Sequence, residues 1–262
     1  MDRCQFSEFS FGYCVTEDLI IWQGTPLTAA PVFPSLIQEG QPGYGYDVAL
    51  QRPGTPLFLQ FKLVEQMVRG NANEAKKGHF ATPFYRMHLR SRTISDQHDS
   101  LVALEAAGNE VFYVAPAFYR AVDLNEAYSS HQIWNRSFRI RPSQIGPSTD
   151  DKQHHVTFRE ATGAWGFYSE QPSAKGRVLQ TSEIVDSLIT QIKTRGNRNL
   201  RDQVFELDDS LLSVVKKRNS ARREKERIDA HLLETNVSPL RRLAYLARQF
   251  FDCQMLFVTL RE

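Results

Sequence analysis

The sequence predicts an α/β fold, and three observations carry that reading. Between Tyr46 and Leu63, two alternating runs flank the turn-former cluster Arg52-Pro53-Gly54-Thr55, the pattern of a β-hairpin. Downstream, two more strand-like runs enclose a stretch at helical spacing. From about residue 173 onward, helical spacing dominates. With a short helix before the hairpin, the order is αβββαβ followed by a helical C-terminal region.

Each element has its own signal. The first is PSLIQEG, an apolar turn that Pro34 or Ser35 opens and Gly40 closes, with Glu39 at its end. In the hairpin, a four-residue loop sets Gln51 opposite Pro56, Ala49 opposite Phe58 and Asp47 opposite Gln60. Residues Phe84 to Arg90 alternate, with Tyr85, Met87 and Leu89 on one face and Arg86, His88 and Arg90 on the other. Ser95 is a candidate N-cap for a helix running to Gly108, a natural residue just past a helix end. Val111 to Ala115, stopped by Pro116, reads as a short buried strand.

The stretch from Gly163 to Gly176 reads as irregular, and helices follow it. Thr181 or Ser182 caps a helix ending near Gly196, and a long helical stretch spans roughly Asp202 to Leu233. Ser238-Pro239 opens a helix whose Leu240, Leu243, Ala244, Ala247 and Phe250 or Phe251 recur at helical spacing. The run Met255 to Val258 is too apolar for a free tail and is expected to pack on the first domain or on another subunit. A boundary near 173 divides residues 1–172 from a helical region, 173–262.

Composition narrows the class. At 262 residues, 41% hydrophobic and 11% aromatic, the chain can bury a substantial core. No apolar run approaches the ~18 residues of a membrane helix, and no signal peptide opens the sequence, so no membrane partner is expected. Cys4, Cys14 and Cys253 are scattered and odd in number, which points to a reducing compartment and a cytoplasmic location. No Walker motif, G-x-S-x-G elbow or internal repeat is present. Gly43-Tyr44-Gly45 lacks the context of a dinucleotide loop, and His154-His155 has no CxxC or HxxxH companion and would point to opposite strand faces.

The predicted hairpin carries the functional signal. One face bears Val48, Leu50, Leu57, Leu59, Phe61 and Leu63, all apolar; the other bears Asp47, Gln60 and Lys62 among Ala49 and Phe58. Opposed side chains have Cβ atoms about 5 Å apart, so an acid, an amide and a lysine converge on one patch. On a solvated sheet face the same three residues would be ordinary.

The ordered set Glu39, Asp47 (in GYD), Gln60 and Lys62 (in QFK) resembles the site of the PD-(D/E)XK nuclease superfamily, the restriction-endonuclease-like fold. The resemblance covers about residues 30–120; no Pro precedes the Asp, and Gln takes the place of the commoner Glu. It implies an αβββαβ core with a central mixed sheet. It also implies Mg²⁺ (Mn²⁺ as substitute) held by Glu39, Asp47 and the Gln60 oxygen, with Lys62 orienting or deprotonating the nucleophile. The expected activity is phosphodiester hydrolysis, on DNA before RNA, in restriction or anti-phage defence. The rivals are a degenerate module that binds nucleic acid or protein without cleaving, and an RNA-directed toxin.

Basic residues supply the expected nucleic-acid surface. Net charge is only +2, but Lys216, Lys217, Arg218, Arg222, Arg223, Lys225 and Arg227 crowd twelve residues, with Glu224 and Glu226 among them. Arg86, His88 and Arg90 would form a second basic face. His98 and Asp99, opening the central helix, are placed to line the site, although a surface or helix-dipole role suits Asp99 as well. The helical region itself is expected to clamp DNA, form a homodimer or dock a partner protein.

Overall fold

The computed structural model describes residues 1–21, 55–93, 95, 97–146, 150–161, 163–168, 172–177, 180–195, 200–221, 239–251 and 253–258. Glu39, Asp47, Arg222 and Arg223 lie outside the described residues. The chain runs β1 (Asp2–Arg3), α1 (Glu8–Ile21), β2 (Thr55–Phe61), β3 (Val64–Met67), α2 (Asn73–Lys76), β4 (Phe84–Leu89), α3 (Gln97–Ala106), β5 (Glu110–Pro116) and α4 (Ala121–Ser129). It continues through β6 (Ser137–Ile140), α5 (Pro142–Ile145), β7 (His154–Phe158), β8 (Ala164–Tyr168), β9 (Pro172–Arg177), α6 (Thr181–Arg195), α7 (Leu200–Ala221), α8 (Pro239–Phe251) and β10 (Gln254–Val258).

The fold is mixed α/β with two sheets. A four-stranded sheet has the order β10-β2-β5-β6, and a six-stranded sheet the order β1-β3-β4-β7-β8-β9. In the smaller sheet β2 is parallel to β5 and the outer pairs are antiparallel; the larger is antiparallel throughout. One nearly continuous strand joins them, because only Lys62-Leu63 separates β2 in the first sheet from β3 in the second.

The alternation expected in β2 is present, with both faces buried. Leu57, Leu59 and Phe61 pack with Phe11, Val15 and Leu19 of α1, while Phe58 faces the larger core with Leu101 and Leu104 of α3. Burying one such side chain is worth about 1.5–3 kcal/mol, so a strand apolar on both faces is stabilised inside a sheet. The pairing differs from the expected hairpin accordingly. Gln254 to Val258 lie antiparallel to Leu59 to Thr55 and β5 holds the other edge, so both sides of Phe58 are taken; the expected first strand, 46–51, lies outside the described residues. Local turn residues set a propensity, but burial of Met255 to Val258 selects the partner. The run left open between the first domain and another subunit thus packs on the first domain.

The expected third strand and central helix are β4 and α3. The amide of Gln97 donates to Ser95 Oγ at 3.2 Å, and Gly108 adopts a left-handed φ of 86° just past the helix. The Gly163–Gly176 stretch is not irregular: it contains β8 and most of β9. Gly166 is needed there because a Cβ would sit 2.7 Å from the Tyr168 ring. Composition alone made these short strands look like loop.

The boundary expected near 173 falls inside β9, and the helices beyond it share the core of the N-terminal half. Leu211 and Val215 of α7 and Leu243, Leu246 and Phe250 of α8 join the cluster that contains Phe58 and Tyr113. Arg242 clamps the two helices by pairing with the fully buried Asp208, its Nε lying 2.9 and 2.8 Å from the carboxylate oxygens. No described helix is long and apolar enough to cross a membrane.

Candidate active site

Gln60 lies near the end of β2 and Lys62 just past it, where the chain leaves one sheet for the other. Both are buried, at 2% and 8% exposure. The Lys62 amide donates to Val114 O at 3.0 Å, which extends the β2–β5 ladder and fixes the lysine backbone beyond the formal strand end. Taking an ammonium out of water costs several kcal/mol unless oxygen atoms or an anion compensate.

The start of α3 reaches the same place. Gln97 Nε2 donates to Gln60 Oε1 at 2.9 Å, and Gln60 Nε2 donates to Phe61 O at 3.0 Å. The Gln60 amide is therefore held at both ends, with one lone pair of its oxygen in reserve. Gln97 was not among the residues the sequence singled out; the whole first turn of α3, Gln97 to Ser100, is polar, so nothing marked it.

His98 is engaged at both ring nitrogens. Its Nε2 lies 2.6 Å from Gly146 O, which can only accept, so Nε2 carries the proton. Nδ1 is then the acceptor for the Tyr113 hydroxyl at 3.1 Å. Burial lowers the His98 pKa from 6.5, and the bond to Gly146 only partly counters it. A neutral imidazole with both nitrogens engaged is a pillar between α3 and β5. Asp99 pairs with Arg92 at 3.2 Å, a half-exposed contact.

The expected second basic face is already charge-paired. Arg86 Nε lies 2.7 Å from Glu74 Oε1, and its Nη2 grips the other oxygen. Glu74 is 2% exposed and also accepts from His155 Nε2 at 2.7 Å and Thr157 Oγ1 at 3.2 Å. Burial pushes the Glu74 carboxyl up, but the hydrogen bonds from His155 and Arg86 outweigh it and hold the group well below 4.5. His88 in turn meets Glu65 at 3.0 Å. Arg86 is thus a structural cation and Arg90 stands exposed beyond the strand end. Nothing in the stretch NANEAKK around Glu74 announces this role.

On α7, Lys216 and Lys217 are exposed and line a shallow depression with Asp209, Leu212 and Ser213. Of the residues the sequence singled out, Gln60 and Lys62 are close in the chain where β2 ends, whereas Arg86 and His88 belong to the other sheet. Compared with known proteins, the chain matches no family model, no curated protein and no solved structure.

Proposed function

We propose that the chain is a metal-dependent nuclease of the PD-(D/E)XK type that hydrolyses DNA. The observation that carries this reading is the burial of Lys62 and Gln60 where the two sheets part. A buried cation at that point fits the charge-offsetting role that the resemblance gives Lys62. The order of β2 running into β3, then β4, α3 and β5, with β2 parallel to β5, is read as the second half of an αβββαβ core.

In this reading Asp47, Glu39 and the spare lone pair of Gln60 form an all-oxygen donor set, which suits a hard cation such as Mg²⁺. When bound, the cation lowers the pKa of its water and polarises the phosphate. Lys62 orients the attacking water and offsets charge on the phosphorane, while Gln97 fixes the rotamer of Gln60. Lys216 and Lys217 hold the phosphate backbone by charge alone.

The test is cleavage of supercoiled and linear DNA with Mg²⁺, Mn²⁺ or EDTA. Wild type is expected to cut only with metal, and Lys62→Ala and Asp47→Ala to lose about 10²-fold or more. Undiminished cutting by Lys62→Ala would remove that residue from the mechanism. One observation favours the non-catalytic alternative, a nucleic-acid-binding module: the Gln60 amide is satisfied within the protein at both ends. Calorimetry separates the two, since a module without chemistry has no call for Mg²⁺.

A further inference from the structure

We propose that His88 and His155 form a second metal site, for a borderline divalent ion of the Zn²⁺, Ni²⁺ or Cu²⁺ class, on the outer face of the six-stranded sheet. The inference stands apart from the proposed cleavage site and uses none of Glu39, Asp47, Gln60 or Lys62.

The argument begins with register. His88 of β4 lies directly opposite His155 of β7, and both point away from the core, as do their neighbours Arg86 and Thr157. Each imidazole is held from behind by a carboxylate through Nε2: His88 by Glu65 at 3.0 Å and His155 by Glu74 at 2.7 Å. A histidine that donates one ring N–H to a carboxylate offers its other nitrogen as a fixed and more basic lone pair, the usual outer-shell pattern around zinc. In both rings that nitrogen is Nδ1. Among the described residues neither Nδ1 has a hydrogen-bond partner, and the His88 Nδ1 is buried as well.

The spacing suits one shared ion. A nitrogen–metal bond of about 2.0–2.1 Å plus about 1.1 Å to the ring centre puts two ligating imidazole centroids roughly 5–6 Å apart. The observed separation is 5.7 Å, with the rings inclined at 54°. Tyr168 stacks on the far side of His155 at 5.7 Å and 15°, and Arg86 and Thr157 fix Glu74. The two rings are thus braced before any ion arrives. Imidazole nitrogen selects this ion class over Mg²⁺, which prefers oxygen. Among the described residues no group of three metal-ligating side chains forms, so water or a small anion completes the shell.

The test uses the full chain, stripped with EDTA and titrated with Zn²⁺, Ni²⁺ or Cu²⁺ by calorimetry. Saturable binding of one ion is expected, undisturbed by excess Mg²⁺. Glu65→Gln is expected to weaken it about 10–100-fold and His88→Gln or His155→Gln at least as much. Cu²⁺ electron paramagnetic resonance on the unaltered protein is decisive and does not depend on a variant folding: splitting from two equivalent-type nitrogens supports the site, and a spectrum without nitrogen overturns it. Affinity unchanged in both histidine variants overturns it too. Asp47→Ala is expected to bind as wild type, and loss of binding there would move the ion elsewhere.

Discussion

The two sheets share one core yet treat their outer faces in opposite ways. On the four-stranded sheet, Leu57, Leu59, Phe112 and Val114 are sealed by α1 and by Ile184 and Leu188 of α6. On the six-stranded sheet, the outer face carries Glu65, Arg86, His88, His155 and Thr157, covered in part by the segment around α2. The first surface is held by area, which is additive and indifferent to direction. The second is held by bonds that depend on register, so a single misplaced partner leaves a polar group stranded.

Four changes sharpen or break that contrast. The largest effect is expected from Phe58→Ala, in the area-held core, with a loss of about 3–5 kcal/mol in denaturant unfolding. Arg242→Leu comes next: it strands the buried Asp208 and is expected to cost about 3 kcal/mol, read by the same assay.

Glu74→Gln tests the bonded face through its pH dependence. The folded-state pKa of Glu74 lies below its ordinary 4.5, so its contribution is complete above that pH and is lost as pH falls further. Wild-type stability should therefore decline on acidification below about pH 4.5, and the variant should be less stable at neutral pH with a shallower acid limb. Equal acid limbs would show that Glu74 does not govern this face. The smallest effect is assigned to Gly166→Ala, where the new Cβ would meet Tyr168 at 2.7 Å. About 1–2 kcal/mol is expected, with Tyr168 displaced from His155 and a changed tyrosine fluorescence.

The same contrast explains what the sequence could say. Strand β4, the capped helix α3, strand β5 and the amphipathic α8 were legible because alternation, a cap and a helical stripe are local signals. The partner of β2 was not, since β10 lies far along the chain and an all-apolar strand does not name its neighbours. The pairing of Arg86 with Glu74 was also hidden. It rests on α2 folding back over β4, and composition gave Arg86 the look of a free cation. Strand β8 was masked by Gly166, whose missing side chain makes room for Tyr168.

The place of β10 beside β2 has a consequence in time. Gln254 pairs with Leu59, 195 residues earlier, so this edge of β2 cannot close until the late segment leaves the ribosome. At about 5–20 residues per second, TPLFLQF waits roughly 10–40 s with its backbone donors and acceptors on offer. An apolar strand with an open edge is a template for the wrong partner. Yield in cells should therefore depend on chaperones that shield nascent chains, and slower translation should lower it.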